Sequence, residues 1–178
     1  AISKESLYEG IFYRIMQAYP IDYFTLWTSE AWTWSGTDAE QVNNTLEDIK
    51  TAEEVLHKMA FPFQLAVLGW REGPAADPLL FDRELRKSTI LGSLNRNMGY
   101  MTLNPVYRRF QNTNRWGITW LQDDDALTTP MLLAGRTRMD VAEAYQNRLS
   151  GMSAIHWHTK WIDPGANAFA RTLWDMEY

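Results

Sequence analysis

A chain of 178 residues is long enough for one domain with its own core, but it is shorter than the roughly 250 residues of a complete eight-stranded α/β barrel. Its formal net charge is −5, with acidic and basic residues interspersed, so no basic stripe is present for phosphates or an anionic membrane, and no nucleic acid or membrane partner is expected. The absence of cysteine excludes disulfides, thiolate nucleophiles and cysteine-ligated metals.

Helical and strand patterns alternate along the whole chain. Capping boxes at Ser6 and Thr37 begin the first two helices, and Pro130 and Gly151 delimit a later one. In chain order the predicted elements are helix 6–19, strand 21–28, helix 37–60, strand 63–70, helix 79–87, strand 99–103, strand 116–121, helix 130–149, strand 152–159 and a helix from Asp163. Such alternation predicts parallel strands joined by crossover helices.

The fold class is therefore predicted to be α/β, with about four or five parallel β/α units over residues 1–178. Two architectures fit this pattern. One is a small open sheet forming a single domain, and the other is a portion of a (β/α)8 TIM barrel whose remaining strands lie on another segment or chain. The C-terminal portion of a barrel is favoured, because three of the predicted strands carry polar clusters at their carboxyl ends, where barrel enzymes build active sites.

Tryptophan is unusually frequent, and 9 such residues require either a large aromatic core or flat platforms for a ligand. Indole faces stack on the C–H faces of sugar rings, while arginine and histidine bind ring hydroxyls or a carboxylate. The residues of these types near predicted strand ends are Trp27, Trp34, Trp70, Arg71, Trp116, Trp120, His156 and His158. The mixture predicts a carbohydrate ligand, since no glycine-rich phosphate loop, nucleophile elbow or dinucleotide fingerprint occurs.

The first candidate catalytic residue is Glu30. It follows the predicted strand 21–28 and stands near Trp32 and Trp34 in the sequence. A carboxyl group held at a strand end among indoles is partly desolvated, which suits it to general-acid chemistry. The structural alternative is a surface glutamate that precedes a loop.

Three adjacent carboxylates, Asp123, Asp124 and Asp125, follow strand 116–121. They cannot all ionise at low cost unless they are solvated, paired with a cation or bound to a metal. Alternation along an extended chain puts Asp123 and Asp124 on opposite sides, so one of them is expected to face the barrel mouth. The alternative is an acidic loop in which one aspartate caps the following helix.

A pair of histidines, His156 and His158, shares one face of the last predicted strand, with Trp157 on the other. With a third ligand such as Asp123, two imidazoles at this spacing can bind zinc or iron. They can equally bind sugar hydroxyls or orient a carboxylate. Contact with a substrate is the favoured interpretation.

Three segments resemble parts of large glycoside hydrolases with α/β-barrel catalytic domains, broadly the α-glucuronidase and hexosaminidase-like barrels. They are residues 26–34 (LWTSEAWTW), 115–124 (RWGITWLQDD) and 155–158 (IHWH). The resemblance implies a barrel lacking its N-terminal side, with Glu30 and an aspartate of the 123–125 cluster as catalytic acids. Gln122 departs from the expected pattern, since a glutamate would be expected before the paired aspartates.

The sequence thus predicts a glycoside hydrolase that cleaves an oligosaccharide or polysaccharide, with Glu30 as general acid and Asp123 or Asp124 as base or nucleophile. This mechanism implies no cofactor and no metal, and it favours a secreted or periplasmic protein. Two alternatives stay open. One is a non-catalytic carbohydrate-binding α/β domain, and the other is a metal-dependent barrel hydrolase that uses His156, His158 and Asp123.

Overall fold

The computed structural model of the chain describes residues 2–30, 38–94, 103–122, 133–156 and 163–176. The elements are α1 (Lys4–Ala18), β1 (Tyr23–Trp27), α2 (Ala39–Lys58), β2 (Gln64–Gly69), α3 (Leu80–Glu84), β3 (Ile90–Leu94), a 3₁₀ helix (Pro105–Arg109), β4 (Arg115–Trp120), α4 (Ala134–Gln146), β5 (Gly151–Ile155) and α5 (Asp163–Trp174). None of the helices described in these ranges is both long and apolar enough to cross a membrane.

The five strands form one parallel sheet in the order β1-β2-β3-β4-β5. Trp27 at the end of β1 pairs with Leu68 of β2, and Trp120 at the end of β4 pairs with Ile155 of β5. The predicted α/β class with parallel β/α units is therefore confirmed. A strictly sequential strand order is that of β/α barrels, whereas a doubly wound sheet reverses its order at a switch point.

The chain divides into two compact units, residues 1–92 and 93–178, with the boundary inside β3. In the first unit an aromatic cluster attaches α1 to the sheet. Phe12 of α1 is fully buried, and its ring lies edge-on to Phe24 of β1 at 5.0 Å and to Phe63 at 5.3 Å between ring centres. Each such contact adds about 0.5–1.5 kcal/mol beyond the burial itself, which outweighs exposed ion pairs such as Lys58 with Glu5.

Glu53 of α2 holds the segment that leads into β3. Its side chain is only 5% exposed, and it accepts hydrogen bonds from the backbone N–H of Arg86 at 3.0 Å and from the hydroxyl of Thr89. Burial raises the pKa of Glu53, and the two hydrogen bonds oppose that shift. This carboxyl group lies at the amino end of β3, the end that in barrels serves stability rather than catalysis.

In the second unit Tyr107 joins β3 to β4. The Tyr107 side chain is 1% exposed, and its hydroxyl donates to the carbonyl oxygen of Trp116 at 2.8 Å and accepts from the N–H of Ser93 at 2.6 Å. Arg115 completes the same region, because its guanidinium donates to carbonyl oxygens at the end of α4. These contacts pair backbone groups of β3, of β4 and of the segment that follows α4.

Two helix boundaries differ from the prediction. The first helix begins at Lys4, two residues before the predicted start. Its N-cap is Ser3 rather than Ser6, and the side chain of Ser3 accepts from the N–H of Ser6 at 3.1 Å. The second begins after Asp38, which accepts from the N–H of Gln41 at 2.7 Å. Both are ordinary N-caps, and the predicted capping boxes were misplaced by one or three residues.

A strand at 90–94 was missed by the prediction, and the end of α4 was predicted wrongly. The third strand is Ile90–Leu94, whereas 99–102 of the predicted strand lie outside the described residues. Helix α4 ends at Gln146. The left-handed residue after it is Arg148, with a φ of 55°, whereas the sequence predicted that Gly151 would end the helix. Gly151 instead begins β5, where the indole of Trp116 leaves no room for a side chain, since a Cβ would lie 2.5 Å from its Nε1.

Candidate functional site

The carboxyl ends of β1 and β2 lie side by side. Trp27 pairs with Leu68, and the N–H of the next residue, Thr28, donates to the carbonyl oxygen of Leu68 at 2.8 Å. The side chain of Trp27 is 46% exposed, so part of its indole face is open. The predicted site residues that follow these two strand ends, or form them, are Trp27, Glu30, Trp70 and Arg71.

Glu30 is exposed in the structure, and it lies three residues beyond the end of β1. Two of the indoles expected around it, Trp32 and Trp34, lie outside the described residues. The predicted desolvation of Glu30 by these indoles therefore stays a prediction.

Arg71 carries an unsatisfied donor at this edge. Its side chain is half-buried, and its Nε is buried with no hydrogen-bond partner in the described part of the chain. A buried donor without a partner costs about 1–3 kcal/mol, so an acceptor from a ligand would be stabilised there.

The neighbouring carboxyl group of Glu72, only 4% exposed, was not among the predicted site residues, although its position directly after Arg71 could have suggested it.

Gly69 brings β2 close to β1 at the site edge. A Cβ on Gly69 would lie 1.9 Å from the Oγ1 of Thr28, whose side chain is 6% exposed. We therefore expect Gly69→Ala to lower the free energy of unfolding by about 1–3 kcal/mol, measured by urea denaturation, since overpacking forces the threonine to move. Thr28→Ala removes that oxygen. In the Thr28→Ala background, Gly69→Ala should therefore lower the free energy of unfolding by less than it does in the wild type. An equal cost in both backgrounds would show that the contact is not the cause.

The carboxyl ends of β4 and β5 form a second such edge. Trp120 pairs with Ile155, and the N–H of Leu121 donates to the carbonyl oxygen of Ile155 at 3.0 Å. Gln122, 3% exposed, is the last described residue before the aspartates, and His156 is exposed directly after β5. The predicted site residues outside the described ranges are Trp34, Asp123, Asp124 and His158.

Two of the predicted sugar platforms have little open surface at the strand ends. Trp116 lies near the amino end of β4, and its indole covers Gly151. Trp120 lies at the carboxyl end, but its side chain is 5% exposed. Stacking on a sugar requires an open ring face, so Trp27 and the half-buried Trp70 are the better placed of the described tryptophans.

Asp140 of α4 is a buried carboxylate that the sequence did not single out. It is 2% exposed and accepts from the hydroxyl of Thr119 and from the Nε of Arg136 at 3.1 Å. Burial raises the pKa of Asp140 to about 6, although the Thr119 bond and the Arg136 charge favour the ionised form. Thr119 and Trp120 point to opposite faces of β4, so Asp140 supports the sheet from the helix side.

Within the described ranges no group of three or more histidine, aspartate and glutamate side chains could hold a metal ion. Of the predicted metal ligands only His156 falls inside those ranges, so the metal alternative stays a prediction. No protein-family model matches the chain, and no curated protein is significantly similar to it.

Proposed function

We propose that the protein is a glycoside hydrolase whose acid pair consists of Glu30 and either Asp123 or Asp124. The observation that supports this most is the edge formed by the ends of β1 and β2. There an open indole face, a carboxyl group and a guanidinium whose Nε has no hydrogen-bond partner among the described residues follow adjacent strand ends. A sugar ring uses these three features for C–H stacking, proton transfer and hydrogen bonding respectively.

In this mechanism Glu30 donates its proton to the glycosidic oxygen as the bond to the anomeric carbon breaks. Asp123 or Asp124 either attacks the anomeric carbon or takes a proton from the water that does so. Retention of configuration requires carboxyl groups roughly 5 Å apart, and inversion requires a wider gap that admits water. The residues that bind the sugar are Trp27, Trp34 and Trp70 by stacking, and Arg71, His156 and His158 through hydroxyl or carboxylate groups.

A non-catalytic carbohydrate-binding domain is the second candidate. The exposed indole of Trp27 and the Nε of Arg71, which has no partner in the described ranges, favour sugar binding whether or not an acid pair is complete. Such a domain would bind sugars without hydrolysing them. The metal-dependent alternative differs in a third way, because its activity would need a bound ion.

Hydrolysis of a panel of aryl glycosides, with and without EDTA, separates the three candidates. We expect phenol release that EDTA leaves unchanged. Activity abolished by EDTA and restored by zinc would favour the metal-dependent hydrolase, and sugar binding without any hydrolysis would favour the binding domain. Native mass spectrometry of the active sample should also reveal a tightly held second chain if the remaining strands of a barrel are supplied by another polypeptide.

A further inference from the structure

The carboxyl end of α4 carries a shallow depression of about 470 Å³, lined by Tyr145, Gln146, Arg148 and Leu149. This volume lies within the roughly 300–1,000 Å³ of typical small-ligand sites. The lining residues immediately precede β5, which begins at Gly151, whereas His156 of the candidate catalytic site follows its other end. The depression therefore lies at the opposite end of β5 from the strand-end site.

The backbone around this depression is fixed by hydrogen bonds. The N–H of Arg148 donates to Tyr145 at 2.9 Å, and that of Leu149 donates to Ala144 at 3.0 Å. The guanidinium of Arg115 holds the carbonyl oxygen of Arg148 at 3.4 Å. The lining side chains are thus carried by a backbone that these hydrogen bonds already fix. This reduces the conformational entropy that the backbone loses when a ligand binds.

The lining side chains have the chemistry of a sugar site. Tyr145 is 71% exposed, so its ring offers an open flat face, and Leu149 packs toward Gly117 of β4 to form an apolar floor. The exposed side chain of Arg148 makes no ion pair with any described residue, and Gln146 adds an amide that can donate and accept. Glycine is the residue that the left-handed conformation at position 148 favours, so the backbone does not explain the arginine.

We propose that this depression is a second, non-catalytic carbohydrate site that takes a sugar residue bearing an anionic group, either a carboxylate or a sulfate. The ring of Tyr145 stacks on the sugar, and the guanidinium of Arg148 binds the anion through two parallel hydrogen bonds. Gln146 binds a neighbouring hydroxyl. The site is independent of hydrolysis, so its existence does not rest on the catalytic proposal.

The test is NMR titration of the full chain with a hexamer of galacturonic acid, with its methyl ester as the neutral match, and with a sulfated dextran oligosaccharide. Binding at the depression is measured from the amide shifts of residues 145–149. We expect the acid hexamer to bind at least tenfold more tightly than its ester, with an affinity that falls as salt is added. The ratio between the carboxylated and sulfated ligands identifies which anion the site prefers.

Arg148→Gly is the sharpest variant, because it removes the guanidinium and also relieves the left-handed backbone. Its melting temperature should equal or exceed that of the wild type, while binding of the acid hexamer falls at least tenfold. Tyr145→Ala should weaken both charged ligands to a similar degree. Tyr13→Ala, which removes a tyrosine that is 58% exposed on α1, is the matched control and should leave the titration unchanged.

Glu30→Gln separates this proposal from the catalytic one, since it should leave the shifts of residues 145–149 intact. Arg148→Gly should conversely leave hydrolysis of small aryl glycosides unaffected. The proposal is overturned if neither charged ligand shifts residues 145–149 of the wild type, or if both charged ligands bind no more tightly than the ester. It is also overturned if Arg148→Gly binds them like the wild type.

Discussion

Replacing Glu30 with glutamine is expected to lower kcat/KM for aryl glycosides with poor leaving groups by about 10²–10⁴-fold, the usual contribution of a general acid. The amide keeps the size of the side chain but has no proton of suitable acidity to give. Since Glu30 is exposed and follows the end of β1, the substitution should not disturb the packing of the sheet. Initial rates on substrates of graded leaving-group pKa measure the effect.

The dependence on the leaving group identifies the role of each carboxylate. A dinitrophenolate leaves without protonation, so Glu30→Gln should lose little in the bond-breaking step with that substrate. Asp123→Asn or Asp124→Asn should instead abolish hydrolysis of every substrate, because a base or nucleophile is needed whatever the leaving group. Glu54→Gln, an exposed carboxylate on α2, is the control and should behave as the wild type. A loss for Glu30→Gln that is the same on all substrates would contradict its role as general acid.

Asp140 should make the stability of the protein depend on pH between about 4 and 7. Burial raises its pKa in the folded state to about 6, above its ordinary value of 3.8. The contribution of Asp140 to the free energy of unfolding is therefore greatest when its carboxyl group is protonated, at pH values below its unfolded pKa. This contribution is lost as the pH rises through about 6. A shift of this size corresponds to about 3 kcal/mol.

Urea denaturation of the wild type and of Asp140→Asn across this pH range measures the contribution. We expect the free energy of unfolding of the wild type to fall relative to that of the variant as the pH rises from 4 to 7, because asparagine does not titrate. Glu54→Gln should show no comparable trend against the wild type. A difference that stays constant with pH, or that grows in favour of the wild type at neutral pH, would mean that the ion pair with Arg136 outweighs the burial of the carboxylate.

The fold class could be predicted from the sequence because the strands and the helices each have their own pattern of apolar residues. The buried apolar run of β2 and the amphipathic pattern of α2 identify a strand covered on both sides and the helix that covers it. β3 was missed because Gly92 and Ser93 interrupt its apolar pattern, and its five residues are nevertheless all buried. Burial by neighbouring elements decided this strand, and such burial is not a property of the five residues themselves.

The sequence could predict which site residues lie at the same edge of the sheet, because that depends only on the direction of the strands. Trp27 and Arg71 lie at the same edge because parallel neighbours end together, and the sequence already placed both near strand ends. Trp116 is only four residues before Trp120, yet it lies toward the amino end of the same strand, against Gly151. Asp140 shows the other limit, because its environment depends on Thr119, a residue of another element 21 positions earlier.

The sequential order of the strands also has a consequence for how the chain folds. Each of these strand pairings joins residues that are close in the sequence. Trp27 pairs with Leu68, and Trp120 pairs with Ile155. The entropy lost on closing a loop grows only with the logarithm of its length, and neither closure waits for a distant part of the chain. No described pairing joins the two termini. The β1-α2-β2 crossover unit can therefore assemble while later residues are still being synthesised, and folding can proceed from the first unit to the second in the direction of translation.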